Sequence, residues 1–120
     1  MQLHLFDEAA EFFKKAIDAA QSSGDKIDFQ GPIYGKTSDR AKLGLARISL
    51  AKNDLNGALT ILKQLEDSES YIEIDDEKIL MYDICAQEIE SAKSKLKQIQ
   101  LVLIYTNNFI YIILQFLLVT

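Results

Sequence analysis

The sequence predicts an all-α chain of antiparallel helical hairpins over residues 1–100, followed by a separate hydrophobic segment over 101–120. Three observations carry this expectation. Apolar residues recur at helical spacing on both sides of a turn signal at Asn53-Asp54. Residues 6–20 and 75–99 show the same three-to-four-residue spacing, and the main chain breakers lie between these segments. Composition then changes abruptly after Gln100, where 15 of the last 20 residues are apolar and none is charged.

Taken in order, Phe6–Ala20 is an amphipathic helix with Asp7 and Glu8 in its first turn and Lys14 and Lys15 later, the polarity the helix dipole favours. Gly24 is its expected C-cap. Residues 25–38 read as a connecting loop punctuated by Gly31-Pro32 and Gly35, with Ile27, Phe29, Ile33 and Tyr34 apolar enough to fold back over the first helix. Thr37 or Ser38 would cap the next helix, with Asp39 in its first turn. The central unit, Lys42–Leu65, is an αα-hairpin: Leu43, Leu45, Ala46, Ile48, Leu50 and Ala51 precede the turn, and Leu55, Ala58, Leu59, Ile61, Leu62 and Leu65 follow it. Ala46 and Ala58 are small where two helices must approach closely. After an acidic, Ser-rich break at Glu66–Ser70, Asp75 would cap a long helix striped by Ile79, Tyr82, Ala86, Ile89, Ala92, Leu96 and Ile99.

These residues resemble the tetratricopeptide repeat. Leu45-Ala46 match the Leu-small pair of that family's first helix, Asp54-Leu55 the opening of its second, and Ala58 with Leu62 the Ala and large apolar residue four positions on. Ala9 and Phe13 repeat that last spacing, with Ala16 after them, so Phe6–Ala20 looks like the second helix of another repeat. Lys42, Ser49 and Ser70 stand where the family usually has Trp, Tyr and Pro. Ala9 and Ala58 are 49 positions apart against a family period of 34, which places an insertion of 15 around residues 25–38. The resemblance implies an α-solenoid fragment packed through Ala9, Phe13, Ala16, Leu45, Ala46, Ala58, Leu62 and Leu65. It also implies a groove for a protein or peptide partner, with Lys42, Arg47, Ser49 and Lys52 as its outward residues. The Lys/Arg/Asn set by which some members hold a C-terminal carboxylate is incomplete here, so that specificity is not carried over.

Thirteen basic and 18 acidic residues give a net charge of −5, which argues against a nucleic-acid partner. The single Cys85 has no disulfide partner, no Asn-x-Ser/Thr acceptor occurs, and Met1–Leu5 has no signal-peptide pattern, so the cytoplasm or an organelle interior is expected. No enzyme chemistry, cofactor or metal is expected either. Gly31–Thr37 places three residues between its glycines where a phosphate-binding loop needs four. His4 has no companion ligand, Cys85 is on the apolar side of a helix, and Asp75, Asp76 and Glu77 would point around a helix end.

Leu101–Thr120 has the length of a bilayer span, and Lys93, Lys95 and Lys97 precede it as a cytoplasmic flank would. It reads as a membrane anchor, as a packed element such as a β-hairpin turning at Asn107-Asn108, or as a terminus that does not continue the repeat natively. The expected function is a protein-interaction scaffold or adaptor. The alternatives are a purely structural fragment of a larger repeat protein and a tail-anchored membrane organiser.

Overall fold

The computed structural model describes residues 3–119, and the side chains of all of these except Leu3, His4, Asp28, Gln30 and Val119. The elements are α1 Leu3–Ser22, β1 Ile27–Gln30, β2 Ile33–Lys36, α2 Thr37–Ala51, α3 Leu55–Gln64, β3 Tyr71–Ile74, β4 Glu77–Leu80 and α4 Met81–Val119. The chain forms two compact units, Met1–Ile89 and Glu90–Thr120, and the division between them falls inside α4.

The chain is mostly helical, as expected, but the all-α reading omits a four-stranded antiparallel sheet of order β1-β2-β3-β4. The expected loop at 25–38 holds the β1–β2 hairpin. Gln30 pairs with Ile33, leaving Gly31 at φ 57 and Pro32 as a two-residue turn. The expected start of the last helix at Asp75 is instead the β3–β4 turn. Asp75 and Asp76 both have positive φ, 51 and 64, as a type I′ turn requires, and Ile79 lies on β4. Asp is favoured both at helix N-caps and in turns, so the residue type alone does not separate the two outcomes. Strands of four residues are also too short for alternation to stand out.

The helical hairpin is where the sequence placed it. Asn53 takes φ 60 in the turn, and the Asp54 carboxylate accepts the Gly57 N–H at 3.0 Å, capping α3. For α2 the expected Thr37 or Ser38 cap is not formed. Lys36 holds the N-cap position without a side-chain bond, and Ser38 is used elsewhere. Gly24, at φ 93, follows α1, and the Asp25 N–H donates to the Ala20 carbonyl at 2.6 Å.

The core of this unit joins Leu43 and Ala46 of α2, Ala58 of α3, Leu65 just beyond it, and Met81, Cys85 and Ile89 of α4. Ile33 and Ile72, opposite each other on β2 and β3, pack against it from the sheet. Of the residues expected to pack the repeat, Ala46, Ala58 and Leu65 are buried, while Ala9, Phe13, Ala16, Leu45 and Leu62 are half-buried. Helix α1 is covered by α2, and Gly44 makes that possible. A Cβ at Gly44 would stand 2.5 Å from Phe13 Cζ, so the ring occupies the space a side chain would need.

Cys85 is 1% exposed, and its thiol is pushed up chiefly by burial and further by Glu88, with Arg47 opposing. It therefore stays protonated and shielded. A thiol reagent at pH 8 is expected to modify the folded chain at least roughly 100-fold more slowly than the chain in denaturant. Equal rates would show that Cys85 is not in the core.

Candidate functional site

Four places in the described residues bring polar or apolar groups together in a way that packing alone does not require. The first is a cleft of about 430 Å³ whose lining includes Asp25, Ser38, Asp39, Lys42, Ser68 and Ser70. Asp39 and Ser70 are buried, at 6% and 4% exposure, and the Asp39 carboxylate accepts the hydroxyls of Ser68 at 2.7 Å and Ser70 at 2.6 Å. The Ser70 hydroxyl in turn accepts the Lys36 N–H at 3.1 Å, and the Ser68 hydroxyl accepts the Ser70 N–H at 3.1 Å. Also in the cleft lining, the Asp25 carboxylate accepts both the N–H and the hydroxyl of Ser38. A buried carboxylate is tolerated only when such bonds replace water. Both hydroxyls that meet Asp39 have their protons committed to it, which makes the arrangement a clamp between α2 and the segment leading into β3. Neither Asp39 nor Ser70 was singled out for this role by the sequence. Ser70 stood only as a departure from the repeat pattern.

The second place is α2 with its C-cap Lys52, which together carry the four residues expected to bind a partner. Arg47 reaches Glu88 through two of its nitrogens, with contacts of 3.0, 3.0 and 2.8 Å. The hydrogen bonds it donates to the Glu88 carboxylate hold the guanidinium pKa above its ordinary value, against a smaller desolvation effect. Lys52 pairs with Asp7 of α1 at 2.7 Å, Lys42 lines the cleft, and Ser49 is half-buried. Arg47 and Lys52 thus tie α2 to α4 and to α1. Exposed pairs of this kind typically contribute about 0.2–1 kcal/mol each.

Aromatic side chains line the sheet face that alternates away from Ile33 and Ile72. Tyr34 and Tyr71 stack at 4.9 Å, Phe29 meets Tyr34 edge-on at 5.7 Å, and the Lys78 ammonium lies 5.1 Å from the Tyr71 ring centroid. Phe29 is 64% exposed and Ile27 60%. Cross-strand pairs hold this face in register, and it leaves apolar surface in water. Among the described residues no three His, Cys, Asp or Glu side chains converge as a metal site would need. The side chain of His4 lies outside the described set.

After the cleft, α2 and the sheet face, the fourth place is the end of α4. Residues 101–118 are helical throughout and exposed at every position, and α4 is long and apolar enough to cross a membrane. The β-hairpin reading of this segment, and its reading as a packed element, are overturned. Asn107-Asn108 is not a turn, because both residues lie inside the helix. A helical ladder satisfies its amides within the segment, which a single open hairpin cannot do for its outer edges.

No protein-family model, curated protein sequence or solved structure matches this chain.

Proposed function

We propose that the chain is a membrane-anchored protein-interaction module, in which residues 101–118 hold the helical and sheet unit of 3–89 against a bilayer. The observation that carries this reading is a continuous helix of 18 residues without a charge and without a buried side chain. In water so large a contiguous apolar surface drives association, whereas lipid accepts it once its backbone is internally bonded. At 1.5 Å per residue, residues 99–118 span about 30 Å, the thickness of a hydrocarbon core. Lys93, Lys95 and Lys97 stand on the flank expected to face the cytoplasm.

For the unit of 3–89 the supported role is docking of a protein or peptide. Its exposed Ile27, Phe29 and Tyr-lined sheet face offers the aromatic contact surface such partners use. Lys42, Arg47 and Ser49 of α2 and its C-cap Lys52 remain the basic and polar residues proposed to meet a partner. A second reading, a structural segment of a larger repeat protein, is favoured by one observation. A β-hairpin running directly into a helix occurs twice, at 27–37 and at 71–81.

The test is alkaline extraction of membranes from cells expressing the full chain. The parent is expected to stay in the membrane pellet, and Ile112→Lys with Ile113→Lys to move to the supernatant, because each lysine at a helix centre costs about 2.5–3.5 kcal/mol of insertion. Recovery of the parent as a soluble monodisperse species, or as aggregates free of membrane, would overturn the anchor.

A further inference from the structure

We infer that the apolar end of α4 pairs in the membrane with the same segment of a second copy of this chain, through the carboxamides of Asn108 and Gln115. The inference rests on the anchor reading above.

Asn108 and Gln115 are seven positions apart on one uninterrupted helix, so they share a face. Leu101 precedes them by the same interval, and Ile104, Tyr111 and Leu118 occupy the intermediate positions, completing a seam of heptad spacing. In the span of residues 99–118, centred between 108 and 109, Asn108 lies about 1 Å from the midplane and Gln115 about 10 Å, both inside the hydrocarbon. Both are exposed on the helix, where lipid offers them no hydrogen bond.

Two features identify the occupant of that face. Every copy carries the same three lysines on the same side of the segment, so copies insert in one orientation and pair in parallel. In a parallel pair each seam residue meets its own counterpart at its own depth. A carboxamide holds a donor and an acceptor together, so Asn108 facing Asn108, and Gln115 facing Gln115, satisfy each other without a different partner. Lys97, one position upstream on the seam, lies outside the hydrocarbon, where its stem lets the charges separate in water; this confines the pairing to the membrane. Asn107 is adjacent in sequence but lies about 100° around the helix, off the seam. It therefore serves as an off-seam control at nearly the same depth.

The experiment uses the full chain, labelled at its amino terminus with a donor or an acceptor fluorophore and reconstituted into phosphatidylcholine vesicles over a range of protein-to-lipid ratios. Alkaline extraction of the same vesicles reports insertion separately. The parent is expected to insert and to show energy transfer that saturates as dimer. Asn108→Leu with Gln115→Leu is expected to insert at least as well while self-association weakens roughly 10-fold or more. Asn107→Leu, which removes an amide of the same kind, is expected to leave the transfer curve in place. An inserted parent that stays monomeric at every ratio overturns the pairing and leaves the anchor standing. So does a double variant that associates as the parent does, or an Asn107→Leu that weakens association as much as the double variant. A parent that does not insert overturns the anchor and the pairing with it.

Discussion

Gly35→Val is expected to abolish the cooperative unfolding of the 3–89 unit. Gly35 sits at φ 142, a conformation that side-chain-bearing residues rarely adopt. A Cβ there would overlap the Ser70 side chain and stand 2.8 Å from the Ser70 Cα, so backbone as well as side chain must move. Ser70 cannot move cheaply. Its hydroxyl joins Lys36 to Asp39, its carbonyl accepts the Met81 N–H at 2.9 Å, and only two residue pairs join β2 to β3 beside it. Backbone strain of about 1–3 kcal/mol, overpacking of about 1–3 kcal/mol and the loss of hydrogen bonds to a buried carboxylate add to a large part of an ordinary domain's 5–15 kcal/mol. Gly24→Ala separates strain from collision, since Gly24 has φ 93 but open space around it. That variant should lose only about 1 kcal/mol. Thermal melts followed by circular dichroism in mild detergent check both, and a Gly35→Val chain that melts with the parent would remove the close contact with Ser70.

Ala58→Trp should be nearly as damaging. Ala58 is fully buried in the core cluster that includes Ala46 and Leu65, so an indole there has no solvent-facing route out. Overpacking a well-filled core costs about 1–3 kcal/mol for a few added atoms, and an indole adds many more. Lys42→Ala, at the half-exposed rim of the cleft, is expected to stay within about 0.5 kcal/mol of the parent. Equal melting temperatures for Ala58→Trp and the parent would take Ala58 out of the interface.

The helical part of the fold was legible because its signals repeat. The spacing of Leu43, Ala46 and Leu50, the Asn53-Asp54 turn and the spacing of Leu55, Ala58 and Leu62 each mark the same hairpin, and α2 and α3 lie there. The sheet was hidden for a physical reason. Four-residue strands such as Ile27–Gln30 and Glu77–Leu80 are too short to show alternation, and the pairing that makes one sheet of the two hairpins, Ile33 with Ile72 and Tyr34 with Tyr71, joins residues distant in sequence, so local pattern carries little of it. A two-residue loop at Asp75-Asp76 after Tyr71–Ile74 was the available clue to the second hairpin. Gly44 escaped notice for a related reason, since a glycine within a helix looks like a defect until Phe13 is seen above it. The Asp39 clamp was equally unreadable, because Ser68 and Ser70 reach it from 29 and 31 positions away. The lysine-flanked apolar run could be recognised from composition. Its exposure along an unbroken helix could not.

The clamp at Ser70 also bears on the order in which the unit folds. The two β-hairpins and the α2–α3 pair each close over a few residues, whereas the bond from Lys36 to Ser70 spans 34 positions. Closing a loop of that length costs roughly 2–3 kcal/mol more chain entropy than closing a two-residue turn. Contacts that close short loops repay their cost early, and those that close long ones wait for them. Ser70 therefore works as a latch: it engages after both hairpins and the helical pair exist, and only then do two separate ribbons become one sheet.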